Sequence, residues 1–233
     1  MCFSKKIVRA LILKELKDYC KNPFVLIVLF LPIFTNMLYF NTYSNSKLRI
    51  IMCINYGIIF SGLFLPSYLI TEEKDKRTLD SLMLFSVNSY EFLIGKLLPC
   101  TLFSLIANMI SLFMFKLNFI SYLQVTFLIF ISLVSIILIG TLIGFKCRNQ
   151  SEAMIYSVII IALLYIMPLA GNLNLVMSKI SSIIGISNMD LIIEDILNGK
   201  GLFCSAYSLL VMAFWAIFPI LIFSYIYKFE KLE

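Results

Sequence analysis

Residues 121 to 145 read SYLQVTFLIFISLVSIILIGTLIGF, a run without a lysine, arginine, aspartate or glutamate. A bilayer core of about 30 Å needs about 20 mostly apolar residues per helical span, so this run is long enough to cross. Working outward, five more runs meet or approach that length, at about 23 to 40, 50 to 71, 93 to 115, 152 to 170 and 206 to 227. Composition agrees, since 61% of the 233 residues are hydrophobic and 14% are charged, against about 25% charged in soluble domains. Mean hydropathy is +0.97. Lipid offers no water to backbone groups, and the runs lack the dyad alternation of barrel strands. The expected fold is therefore all-α, a polytopic membrane protein with six transmembrane helices in one domain over residues 1 to 233. The first run reads as a membrane helix and not a cleaved signal, because Met37-Leu38-Tyr39-Phe40 offers no small-residue cleavage site.

Charge gives an orientation. Lys5, Lys6, Arg9, Lys14, Lys17 and Lys21 precede the first run, and Lys74, Lys76 and Arg77 fall between the second and third, with Lys96 nearby at the start of the third. Lys146 and Arg148 follow the fourth, and Lys228 and Lys231 the sixth, leaving Lys47, Arg49, Lys116, Lys179 and Lys200 for the other side. The positive-inside rule then places both termini in the cytoplasm of a cell-membrane protein. Topology accounts for the net charge of +6, and no aromatic-interleaved basic patch points to nucleic acid. The cysteines show no CxxC spacing and read as packing residues.

Two amphipathic segments flank the spans. In residues 1 to 22, Phe3, Ile7, Val8, Leu11 and Ile12 share one helical face and Lys5, Lys6 and Arg9 the other, with Lys14, Glu15, Lys17 and Asp18 continuing the pattern. An interfacial helix is expected there, ended by Asn22-Pro23, or else a basic flank that only sets topology. In residues 171 to 205, Leu173, Val176, Met177, Ile180 and Ile184 recur at helical spacing. Ser187-Asn188-Met189-Asp190 resembles a capped helix start, and Gly199 and Gly201 an end. Two short helices on or in the outer leaflet are expected, or a surface loop.

The inventory of chemistry is short. Without histidine, most zinc sites, Ser-His-Asp arrangements and proton shuttles are excluded. No GxxxxGK[ST] loop occurs, so ATP is not bound by a P-loop of this chain. Glu72-Glu73-Lys74-Asp75-Lys76-Arg77 reads EExxxR, similar to the first motif of intramembrane CAAX-type proteases, which also need histidines. Ionisable residues are nearly absent from the spans. Lys96 and Glu152 lie near the cytoplasmic ends and are expected to snorkel, which argues against proton or sodium coupling. Asn36, Asn55, Asn108 and Tyr165 are expected to hydrogen-bond between helices, Pro32, Pro66, Pro168 and Pro219 to kink them, and Gly140 with Gly144 to form a close-packing face.

The charged insert between the second and third runs carries a resemblance. Glu73-Lys74-Asp75-Lys76-Arg77-Thr78-Leu79-Asp80, then Ser86-Val87-Asn88, then Glu91-Phe92-Leu93-Ile94-Gly95-Lys96, is similar to the signature of ABC-2 type transporter permeases. Their pattern is roughly E-K-E-[RK]-G-T-L-E, P-[VI]-S and [IL]-L-x-G-K. Leu13-Lys14-Glu15-Leu16-Lys17-Asp18, Asn22-Pro23 and Leu31-Pro32 resemble the family's opening. Arg77 stands where glycine is usual, and Ser86 where proline is usual.

The resemblance implies the membrane half of an exporter driven by a separate ABC ATPase subunit. That subunit would hold ATP and magnesium, and no cofactor or metal would be bound by this chain. Residues 72 to 92 would form a coupling loop, with Glu72, Glu73, Lys74, Arg77, Thr78 and Leu79 contacting the ATPase and Leu82 and Met83 adding apolar anchors. The N-terminal helix, with Lys5, Lys6, Arg9, Lys14 and Glu15, would be a second contact. A second permease chain, as homodimer or heterodimer, would complete a pathway between the first, second and fifth helices. The exported substrate would be a peptide, drug or lipid-like molecule. Two other readings stay open: a membrane immunity or sensor protein against a membrane-active peptide, and an intramembrane protease.

Overall fold

The computed structural model describes residues 4–42, 46–78, 89–171 and 174–230. The described chain is all-helical, with nine helices and no strand among those residues. They are α1 (Lys5–Lys21), α2 (Pro23–Thr42), α3 (Ser46–Asp75), α4 (Ser89–Phe113), α5 (Phe119–Lys146), α6 (Gln150–Ala170), α7 (Leu175–Ser181), α8 (Gly185–Leu197) and α9 (Ala206–Glu230). Five of them, α3, α4, α5, α6 and α9, are long and apolar enough to cross a membrane, and two bent pairs, α1 with α2 and α7 with α8, pass the same test together. The six expected runs fall on α2, α3, α4, α5, α6 and α9, of which α2 meets the length and hydropathy test only together with α1.

α3 and α5 form the centre. In their most apolar windows 67% and 61% of residues are buried, against 22% in α6 and in α9. The reason lies in small residues facing each other. A Cβ added at Gly140 would stand 2.6 Å from Pro66 Cγ and 2.7 Å from the Leu63 carbonyl oxygen, and one at Gly144 would stand 2.9 Å from Ile70 Cβ. Gly62 on α3 returns the contact, with Ile136 at 2.9 Å. The expected GxxxG face is thus the seam of the bundle, where absent side chains let two backbones approach.

Polar side chains tie neighbours to this centre. Asn36 Nδ2 on α2 donates to the Ser111 carbonyl on α4 at 2.7 Å, Asn55 Nδ2 on α3 donates to Asp190 Oδ2 on α8 at 2.9 Å, and the Tyr165 hydroxyl on α6 meets Met52 Sδ at 3.6 Å. Asn108 differs from expectation: its Nδ2 donates to the Ser104 carbonyl within α4 at 2.7 Å. Its other end sits where a Gly57 Cβ would be.

The turns are built by local chemistry. Asn149 caps α6 by accepting from the Glu152 N–H at 2.8 Å, while Glu152 Oε2 accepts from the Arg148 N–H at 2.8 Å. Glu152 thus closes the turn between α5 and α6 as a capping residue at the exposed end of the span. Asn22 Oδ1 accepts from the Phe24 N–H at 3.0 Å and Pro23 opens α2, which bends the chain by 76° between α1 and α2.

The segment before α9 forms two helices at 91°, the number expected. α7 has no buried residue, whereas α8 buries Met189, Ile192, Ile193 and Ile196 against the bundle. The expected cap at Ser187 is corrected. α8 begins at Gly185 after Ile184, and Ser187 lies inside it. Gly199 and Gly201 do end the pattern, at φ of 79° and 85°, with the Lys200 N–H donating to the Asp195 carbonyl at 2.9 Å.

Candidate functional site

Three separate sequence segments converge at the end of the bundle where α1, the last turn of α3 and the first turns of α4 meet. At about 1.5 Å per residue, the 30-residue α3 is roughly 45 Å long. It outruns a bilayer core of about 30 Å and carries Glu72 to Asp75 on its final turn. α1 lies across α4 with Val8, Leu11, Glu15 and Tyr19 inward. The crossing needs Gly95, since a Cβ there would stand 2.7 Å from Leu11 Cβ. At the far end of α1, the Ser4 N–H donates to Glu91 Oε1.

This crossing buries an ion network. Lys96 Nζ lies 2.7 Å from Glu73 Oε2 and 3.2 Å from Glu15 Oε1, and Lys14 pairs with Glu73 Oε1. Lys96 is 6% exposed, Glu15 2% and Glu73 8%. Two ammonium groups thus face two carboxylates, a neutral set that lowers the cost of burying each charge. The expectation that Lys96 snorkels is corrected: α1 covers its route to water and supplies Glu15 as a partner instead. Glu15, expected on an interfacial helix, faces the protein interior, while Lys5, Lys6 and Arg9 stay exposed.

Lys74 also turns inward. Its Nζ donates to the Phe145 carbonyl and, at 3.1 Å, to the Cys147 carbonyl, so a cation sits on the carbonyl end of α5. Beneath it, Phe145 meets Phe92 and Phe223 edge to face while those two rings lie parallel, with centroids 5.3 to 6.5 Å apart. Movement of the α3 end is thereby tied to α1, α4, α5 and α9 together.

The exposed remainder of the insert is a turn. Glu72 accepts from Asn22 Nδ2 at 3.1 Å and pairs with Lys76 Nζ at 2.6 Å. The hydrogen bond to Glu72 is the main reason that the Lys76 pKa is raised. Arg77 adopts φ of 55°, the left-handed region, and its N–H donates to the Lys74 carbonyl at 2.9 Å. That conformation favours glycine, the residue usual at this place in the resembling pattern. The Thr78 hydroxyl donates to the Glu73 carbonyl at 3.2 Å. Asp75, Lys76, Arg77 and Thr78 are exposed. Leu79, Leu82, Met83 and Ser86 lie outside the described residues, as do Phe3, Leu173 and Lys231.

A cleft of about 630 Å³ opens beside the network, with Lys14, Glu15, Asn22, Glu72, Glu73 and Lys96 on its walls. No family model matches the chain, and no curated protein matches it. The convergence was only half visible in the sequence. Lys96 was conspicuous as a cation inside an apolar run, but its acidic partners lie on two other helices.

Proposed function

We propose that this chain is the membrane subunit of an ABC exporter of the ABC-2 type, driven by a separate ATPase that binds the charged end. The observation that supports it is the meeting of three segments, Lys14-Glu15, Glu72 to Thr78 and Glu91 to Lys96, on one buried ion network. These are the segments that carry the resemblance. A force applied to the exposed turn passes through Glu73 and Lys96 into α1 and α4, and through Lys74 into α5. Both termini and this end are cytoplasmic in the proposal, and the bilayer is the cell membrane.

The contact surface narrows accordingly. Glu73 and Lys74 hold the turn in place from inside. Asp75, Lys76, Arg77 and Thr78 meet the ATPase, with Glu72 alongside and the exposed Lys5, Lys6 and Arg9 of α1 as the second contact. Mixed charge at such a surface sets register and association rate. A second permease chain completes the pathway, and the cargo is a peptide, drug or lipid-like molecule. The test is co-purification of the chain with a candidate ABC ATPase from the same cell. The proposal expects the two to elute together, and expects Lys76→Glu with Arg77→Glu to abolish that while lowering the melting temperature by no more than a few degrees. Undiminished co-elution of the double variant would overturn the contact assignment.

A further inference from the structure

At the opposite end of the bundle, a cavity of about 320 Å³ lies between α3, α6, α7 and α8. Asn55, Tyr165, Asp190, Glu194 and four serines, Ser187 among them, supply its polar wall. The remainder is apolar, and no lysine or arginine is among its described lining residues. Asn55 and Ser187 are 3% and 6% exposed. Asn55 uses its Nδ2 on Asp190 Oδ2, which leaves Asn55 Oδ1, Asp190 Oδ1 and Ser187 Oγ buried with no hydrogen-bond partner.

Buried polar atoms ordinarily have partners, so three without a protein partner on a single cavity mark a surface suited to a polar group. All three can accept, one belongs to a carboxylate, and Glu194 stands exposed on the same lining. The complementary group carries N–H or O–H donors, and a positive charge on it suits a wall with two carboxyl groups and no cation. An alkylammonium has three N–H donors and no acceptor. The volume is at the lower end of ligand sites, which run from about 300 Å³ to 1,000 Å³, and admits a head group with a short length of chain. Leu48, Ile51 and Leu169 would lie along that chain.

We infer that this cavity is a binding site for the primary ammonium group of a single-tailed or lipid amphiphile, with Asp190 as counter-ion and Asn55 and Ser187 as acceptors. The inference stands on the cavity alone and does not depend on the exporter reading. The same ammonium chemistry is available from a free long-chain amine and from a phosphatidylethanolamine headgroup.

The experiment measures equilibrium binding of labelled dodecylamine and dodecanol to the full chain in phosphatidylcholine nanodiscs. The quaternary choline head has no N–H donor and should not compete. Dodecylamine is expected to saturate one site at least tenfold more tightly than dodecanol. Asp190→Asn is expected to weaken it at least tenfold and Ser187→Ala by a few-fold, with melting temperatures showing that each variant is folded. Replacing part of the phosphatidylcholine by phosphatidylethanolamine separates the two sources. Loss of dodecylamine binding there identifies the lipid headgroup, and unchanged binding identifies the free amine. Equal binding of amine and alcohol, or parental amine binding by the folded Ser187→Ala variant together with any folded Asp190→Asn variant, would overturn the assignment.

Discussion

Replacing Lys96 by methionine keeps an unbranched side chain one atom shorter and removes its charge, leaving Glu15 and Glu73 buried beside each other with Lys14 alone to balance them. At the observed separations of 2.7 and 3.2 Å, the two attractions amount to about 6 and about 5 kcal/mol at an effective dielectric of about 20. Desolvating the ions offsets much of this gross gain. Removing one member of a buried ion pair costs about 3–5 kcal/mol net, because a charge remains inside without its partner. For a chain of this size about 1 kcal/mol moves the melting temperature by about 2–4 °C, so Lys96→Met is expected to melt about 6–20 °C lower. Adding Glu15→Gln and Glu73→Gln removes the stranded charges and is expected to recover most of the loss. The assay is thermal unfolding of the purified protein in one detergent, with Lys76→Met as a control. Lys76 forms an exposed i,i+4 pair with Glu72, worth about 0.3–0.5 kcal/mol. A Lys96→Met melting temperature within 2 °C of the parent, or a triple variant no more stable than the single one, would refute the buried network.

At the α3–α5 seam, Gly140→Ala must displace the Pro66 ring or the Leu63 carbonyl, and is expected to cost about 1–3 kcal/mol in the same unfolding assay. Gly199→Ala meets nothing within 4 Å but holds φ of 79°, so its expected cost of about 1–2 kcal/mol comes from backbone strain alone. At Arg77, the left-handed turn predicts that Arg77→Gly is at least as stable as the parent and that Arg77→Val melts lower. Single-cysteine variants report orientation: Cys20 and Cys204 are both exposed, and a membrane-impermeant maleimide is expected to label Cys204 but not Cys20 in intact cells.

What the sequence made legible is whatever depends on length, composition or a local rule. The apolar runs became helices because lipid-compatible backbone leaves few alternatives. Gly140 and Gly144 pointed to a close seam, and Gly199 and Gly201 ended α8, because each effect needs only the missing Cβ. Pairings across distant positions were not legible. Glu15, Glu73 and Lys96 lie on three helices, and their meeting depends on the sharp bend at Asn22-Pro23 that lays α1 over Gly95. Asp190 meets Asn55 across 135 positions, so its place three residues after Ser187 suggested a cap that the fold does not use. The burial of α8 was hidden for a related reason. An apolar stripe of Ile192, Ile193 and Ile196 has the same helical period whether it faces lipid or another helix.

The most direct measurement is site-specific photo-crosslinking in cells, with the reactive side chain placed at Lys76 on the exposed turn or at Lys200 on the opposite end. The account predicts that position 76 crosslinks to a P-loop ATPase and that position 200 does not. No ATPase adduct from position 76, or equal adducts from both positions, would contradict the claim that the charged end is where ATP-driven motion enters this protein.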